Sequence, residues 1–119
     1  NNTPPASELR KGKHVLAFMS LTCRFCRKAA KRLHIMKEKH PELPLFLVLN
    51  GNPDYLADFM QETHAEQIDH MIFNGAEQFT TLNEGYTLPT IKWLEDTLVV
   101  RQSNYLTLDE RDILTWLHK

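Results

Sequence analysis

A chain of 119 residues, 42% hydrophobic and 24% charged, has material for one compact domain with a real core and too little for two ordinary ones. Its formal net charge of -1 gives no global attraction for nucleic acid. No apolar run approaches the roughly 18–20 residues that a membrane-spanning helix needs.

The chain starts without methionine, and Asn1-Asn2-Thr3-Pro4-Pro5-Ala6-Ser7 is polar and proline-containing. Residues 1–10 therefore read as a linker or processed end, and residues 11–119 as a single domain excised or matured from something longer. Next, His14-Val15-Leu16-Ala17-Phe18-Met19 is an almost continuous apolar run of strand length, as in a strand covered on both faces. A helical pattern follows, with Phe25, Ala29, Ala30, Leu33, Met36 and Lys37 close to one face, and it stops at His40-Pro41. Pro44 to Leu49 reads as a second buried strand, closed by the turn signal Asn50-Gly51-Asn52-Pro53.

Asp54 can cap a helix running to about Thr63. Gln67 to Phe73 reads as a third strand, and residues 76–82 as a short helix. Beyond Gly85-Tyr86-Thr87-Leu88-Pro89-Thr90, the runs Ile91–Leu94 and Leu98–Arg101 form an antiparallel hairpin turning at Glu95-Asp96. Thr107-Leu108-Asp109-Glu110 has the pattern of a capping box, opening a last helix that buries Leu108, Ile113, Leu114, Trp116 and Leu117. Alternating strands and helices followed by a hairpin predict a three-layer α/β/α sandwich, with parallel strands joined by right-handed crossovers and an antiparallel edge.

The two cysteines, Cys23 and Cys26, sit where the first strand meets the first helix. A disulfide between them closes too small a loop to stabilise much, so the pair reads as chemical rather than structural. A helix starting at Cys23 places that thiol over free backbone N–H groups and the positive end of the macrodipole, which lowers a thiol pKa. Cys23 is thus the expected nucleophile, and Cys26, almost a turn further in, the thiol that resolves a mixed disulfide. A zinc site needs four ligands, and neither a second Cys-x-x-Cys nor a His pair at ligand spacing is present; metal and other cofactors are not expected. Arg24, Arg27 and Lys28 oppose the dipole on the first turn. They stabilise a Cys23 thiolate and attract an acidic partner, or they form an ordinary solvated basic face. Phe25 is either a platform for substrate or a residue packed on the loop.

Cys23-Arg24-Phe25-Cys26 at a strand-to-helix junction, together with Gly85-Tyr86-Thr87-Leu88-Pro89-Thr90 before a hairpin and a last helix, resembles the thioredoxin superfamily, and in particular its TlpA/ResA-like branch of exported thiol-disulfide oxidoreductases. The extra helix and strand between residues 53 and 73 are similar to that branch's insertion. The Ser20-Leu21-Thr22-Cys23 lead-in also resembles thioredoxin-like domains appended to DoxX-type membrane proteins. The resemblance implies a cis bond at Pro89 and a substrate groove at Thr87, Leu88 and Pro89, with Tyr86 beside it and the Leu88 backbone pairing with an extended substrate. It also implies a protein thiol or disulfide substrate, a second redox partner that can be membrane-bound, and a periplasmic or extracytoplasmic setting, tethered through a preceding region.

Three departures stand out. Thr22 replaces the usual Trp, Arg24-Phe25 replace the frequent Pro or Gly, and Ala17 and Ala29 stand where relatives keep an acid. Water, His34 or a substrate group would then have to take the proton of Cys26. The other reading of the chain is a catalytically weak interaction or redox-sensing module. Thiolate stabilisation favours an oxidant and the TlpA-like resemblance a reductant, so the redox direction stays open.

Overall fold

A computed structural model of the chain describes residues 11–73, 75–84 and 87–119. The N-terminal linker reading, and the readings of Gly85 and Tyr86, lie outside these residues. Strand β1 (Lys13–Ser20) is followed by helix α1 (Arg24–Lys39) and strand β2 (Leu45–Asn50). A 3-10 turn (Pro53–Tyr55) leads into helix α2 (Leu56–Thr63), and a second (Ala65–Gln67) into strand β3 (Asp69–Phe73). Helix α3 (Ala76–Leu82), the hairpin strands β4 (Thr90–Glu95) and β5 (Leu98–Ser103), and helix α4 (Glu110–Leu117) complete the order.

The five strands form one sheet in the order β3-β2-β1-β4-β5. β1, β2 and β3 are parallel, and β4 and β5 are antiparallel to their neighbours. β1 is therefore central, as its unbroken apolar run requires. Its residues alternate between two packed layers. Val15, Ala17 and Met19 join the larger core with Cys26, Leu33 and Ile113, whereas Phe18 lies with Phe46, Val48 and Phe79 on the opposite face. The expected three-layer α/β fold is the one observed.

Helix α1 buries Cys26, Ala29, Ala30, Leu33 and Met36, a stripe at helical spacing. Two alanines in that stripe let the helix backbone lie close to the sheet. Phe25 departs from the expected inward face: it is 53% exposed, because the helix begins at Arg24 and turns Cys26, not Phe25, toward the core.

Two helix starts also differ from expectation. Asn52, not Asp54, caps the turn into α2, its Oδ1 accepting from the Asp54 amide at 3.0 Å. Asp109, not Thr107, caps α4 by accepting from the amides of Arg111 and Asp112. Thr107 is held elsewhere, since its amide donates to Asn104 Oδ1 at 3.0 Å and its Oγ1 accepts from the Asn104 amide at 2.9 Å. The third strand is shorter than expected, because the chain at Ala65–Gln67 takes a 3-10 turn first.

Candidate active site

The site lies at one end of the two middle strands. β1 pairs with β4 so that Phe18 faces Thr90. The loop leaving β1 (Leu21, Thr22, Cys23) and the loop entering β4 (Thr87, Leu88, Pro89) thus emerge from the same sheet end. The distant halves of the sequence motif are brought together by strand register alone.

Cys23 is the N-cap of α1, in extended conformation, and its Sγ accepts from the Cys26 amide at 3.2 Å. This is the place where a helix offers unsatisfied N–H groups and positive potential. Its thiol is half-buried and Cys26 is fully buried. Cys26 Sγ accepts from the Ser20 amide at 3.5 Å. Burial, with the hydrogen bond to Cys23 adding to it, pushes the Cys26 thiol far above the ordinary thiol range, because a thiolate there would lose its hydration.

The loop opposite is fixed by a small polar cluster. The buried Thr90 hydroxyl donates to the Thr87 carbonyl and accepts from Asn83 Nδ2, and the Leu88–Pro89 peptide bond is cis. Pro89 is buried, Leu88 half-buried and Thr87 exposed. Phe25, Thr87, Leu88 and Pro89 share a groove of about 220 Å3 with Asn104, Tyr105 and Leu106.

Those last three residues were not singled out from sequence. They belong to the loop between β5 and α4, far from both motifs in the chain. The available signals were local: an Asn104…Thr107 turn pattern, and the adjacent pair Tyr105-Leu106 ahead of the last helix. The Asn104 side chain forms the turn by accepting from the amides of Leu106 and Thr107, which leaves Leu106 87% exposed. Arg32 pins the same loop to α1, its two terminal nitrogens donating to the carbonyls of Tyr105 at 3.0 Å and Leu108 at 2.7 Å.

Of the first-turn cations, Arg24 and Lys28 are exposed. Arg27 instead turns toward α2, pairing with Asp58 at 2.8 Å and Glu62 at 2.6 Å. His34 is likewise directed away from the cysteines: it faces Glu38 at 3.4 Å, and its ring lies 5.9 Å from that of His64. Eight residues of helix separate it from Cys26, about 12 Å of rise.

The fold recurs in solved structures. The thioredoxin domain of a thiol-disulfide oxidoreductase from Bacteroides vulgatus superposes with a TM-score of 0.77 at 11% identity, covering 93% of this chain and 83% of that one. A secreted disulfide oxidoreductase of Mycobacterium tuberculosis gives 0.75 at 12% identity, over 97% and 87%. StoA of Bacillus subtilis gives 0.68 at 17%, over 90% and 83%. The chain has the thioredoxin fold. Its structural neighbours are thiol-disulfide oxidoreductases, as the paired motifs led us to expect. In sequence, the chain is 31% identical over 98 residues to protein TlpB of Flavobacterium psychrophilum, a match that covers 81% of this chain and 26% of that protein. The chain therefore spans about a quarter of this curated relative. No family model matches the sequence. Among the described residues, no helix is long and apolar enough to cross a membrane.

Proposed function

We propose that residues 11–119 form the thiol-disulfide exchange domain of an exported protein, with Cys23 as nucleophile and Cys26 as resolving thiol. The observation that carries this reading is the asymmetry of the pair: Cys23 Sγ sits half-exposed at a helix N-terminus, and Cys26 Sγ is sealed beneath it. The Cys26 amide and the positive end of the helix dipole meet the Cys23 sulfur, the attacking atom, with Arg24 adding positive charge on the same turn. In the reducing direction, the Cys23 thiolate attacks one sulfur of a substrate disulfide. A Cys23–substrate bond forms, and the other substrate sulfur leaves as thiolate. Cys26 then attacks Cys23 Sγ; the Cys23–Cys26 disulfide forms and the second substrate thiol is released. The oxidising direction is the reverse.

Cys26 must lose its proton in the second step, although burial holds it protonated in the resting dithiol. With His34 paired elsewhere, and alanine at positions 17 and 29, the departing substrate thiolate is the acceptor we assign. Leu88 and Pro89 would orient an extended substrate by pairing with its backbone, and Phe25 and Thr87 would flank it. A partner redox protein or membrane donor would then restore the starting state. The likeness to a secreted disulfide oxidoreductase of Mycobacterium tuberculosis supports a setting outside the cytoplasm.

Turnover tests the reading directly. The protein should reduce insulin with a dithiol donor, or reoxidise reduced ribonuclease. Cys23→Ser should abolish both activities, and Cys26→Ser should trap a mixed disulfide. Absence of turnover in both directions would instead leave a redox-silent interaction module. The reduction potential sets direction: a value near about -270 mV indicates a reductant, and one near about -120 mV an oxidant.

A further inference from the structure

Helix α1 carries Arg24, Lys28, Lys31 and Arg32 at i, i+4, i+7 and i+8, a spacing that places them on one face. Among the described residues, the ion pairs of this helix and its cap are Arg27 with Asp58 and Glu62, His34 with Glu38, Lys39 and His40 with Glu110, and His40 with Glu42. None reaches the four cations of the stripe. The first turn also holds no acidic residue. In a chain of net charge -1, this positive charge is a local concentration rather than the overflow of a basic protein.

The stripe is continuous with the groove. Lys28 Nζ lies 5.5 Å from the centre of the Phe25 ring, and the Arg32 guanidinium 5.6 Å from that of Tyr105; the two rings are themselves 5.7 Å apart. Cations and aromatic walls form one surface around the Cys23 end of α1. At about 220 Å3, the groove is smaller than the roughly 300–1,000 Å3 of small-molecule sites. It has room for a single side chain. Five of its seven lining residues, Phe25, Leu88, Pro89, Tyr105 and Leu106, are apolar or aromatic, with Thr87 and Asn104 the polar remainder, a lining that favours an apolar side chain.

We infer that this face is built for an acidic protein partner, docking as an extended segment with an apolar side chain next to its reacting cysteine and net negative charge around it. The inference rests on the exchange reading above and specifies its substrate. Charge complementarity of this kind acts mainly on encounter, raising association rates by about 10–1,000-fold at low salt and fading as salt screens it.

The test uses the reduced Cys26→Ser protein and peptides whose single cysteine is capped as a mixed disulfide with mercaptoethanol. The Cys23 thiolate displaces mercaptoethanol, and the protein–peptide adduct is timed by mass spectrometry. A peptide with leucine beside its cysteine and flanking aspartate and glutamate should react at least about tenfold faster than the same peptide with flanking lysines. High salt should shrink that ratio. Lys28→Glu should bring it close to one or below, and Leu106→Ser should remove the preference for leucine over serine beside the cysteine. Using ratios within one protein cancels any change in the intrinsic reactivity of Cys23.

Neutral hydroxyethyl disulfide separates the two levels of the argument. If it reacts while acidic and basic peptides do so at equal rates, the acidic-partner inference is overturned and exchange stands. If it fails to react, the exchange reading itself falls. Preferential sedimentation of the protein with phosphatidylglycerol vesicles, without discrimination between peptides, would assign the cations to a lipid surface and likewise overturn the inference.

Discussion

Arg27, the residue immediately after the buried cysteine, donates from Nε to the carbonyl of Leu21 at 2.8 Å. The loop that presents Cys23 is thereby tied back to the first turn of α1. The same guanidinium reaches Asp58 and Glu62 on α2 and lies 5.7 Å from the ring centre of Phe59, so α2 and the cysteine loop share one anchor.

The parts of that anchor should not weigh equally. Asp58 and Glu62 are 69% and 58% exposed at the side chain, and Arg27 only 16%. Exposed carboxylates contribute little to a pair, while a charged donor on a sheltered carbonyl contributes more. Arg27→Met should therefore cost about 1.5–3 kcal/mol in urea unfolding, and Glu62→Gln less than about 1 kcal/mol. Equal losses in the two variants would show that the carboxylates, rather than the Leu21 contact, carry the anchor.

Burial of Cys26 gives the reduced protein a defined pH response. Its folded-state thiol titrates well above the unfolded one, so above about pH 8.5 the unfolded chain releases a proton that the folded chain keeps. Stability conferred by the neutral thiol is complete below that pH and falls above it, with a limiting slope of about 1.4 kcal/mol per pH unit. Urea midpoints of the reduced protein should thus decline more steeply in alkali than those of Cys26→Ser. In iodoacetamide at neutral pH the native dithiol should take one label, on Cys23, and the denatured protein two.

Arg32 spans two carbonyls of the groove loop, a task that suits a planar fork and not a point charge. Arg32→Lys should recover little of what Arg32→Gln loses, each variant falling by about 1.5–3 kcal/mol. Amide hydrogen exchange at Leu106 and Thr107 should quicken in both. Full rescue by lysine would mean that charge alone holds the loop.

Gly51 has φ +139°, and a Cβ there would stand 3.4 Å from side-chain atoms of Leu21. Gly51→Ala should cost about 1–3 kcal/mol through backbone strain. Because Leu21 leads into Cys23, it should also change the alkylation rate of that thiol. An unchanged melting temperature would contradict the strain argument.

The layers of this fold were legible where burial alone decides sequence. β1 and β2 announce themselves as continuous apolar runs because both faces are covered, and the cysteine spacing marks the strand-to-helix junction. What escaped notice depends on contacts distant in sequence. Arg27 finds Asp58 31 positions away, and Arg32 finds Tyr105 73 positions away; no local pattern encodes either. Thr107 has the right spacing for a cap, but Asn104 captures it first, and Asp109 takes over the helix. The groove wall at Tyr105 and Leu106 was missed for the same reason, since its closeness to Phe25 is created by the docking of its loop onto α1.

Both sulfurs of the pair are met by main-chain donors, Cys23 Sγ by the amide of Cys26 and Cys26 Sγ by that of Ser20. Backbone donors survive any change of side chain that leaves the turn intact. Geometry and side-chain chemistry are thereby separated here: Thr22, Arg24 and Phe25 can be exchanged while the two sulfurs stay where the peptide chain puts them. A motif without the usual tryptophan and acid is, on this account, the same frame carrying a different setting.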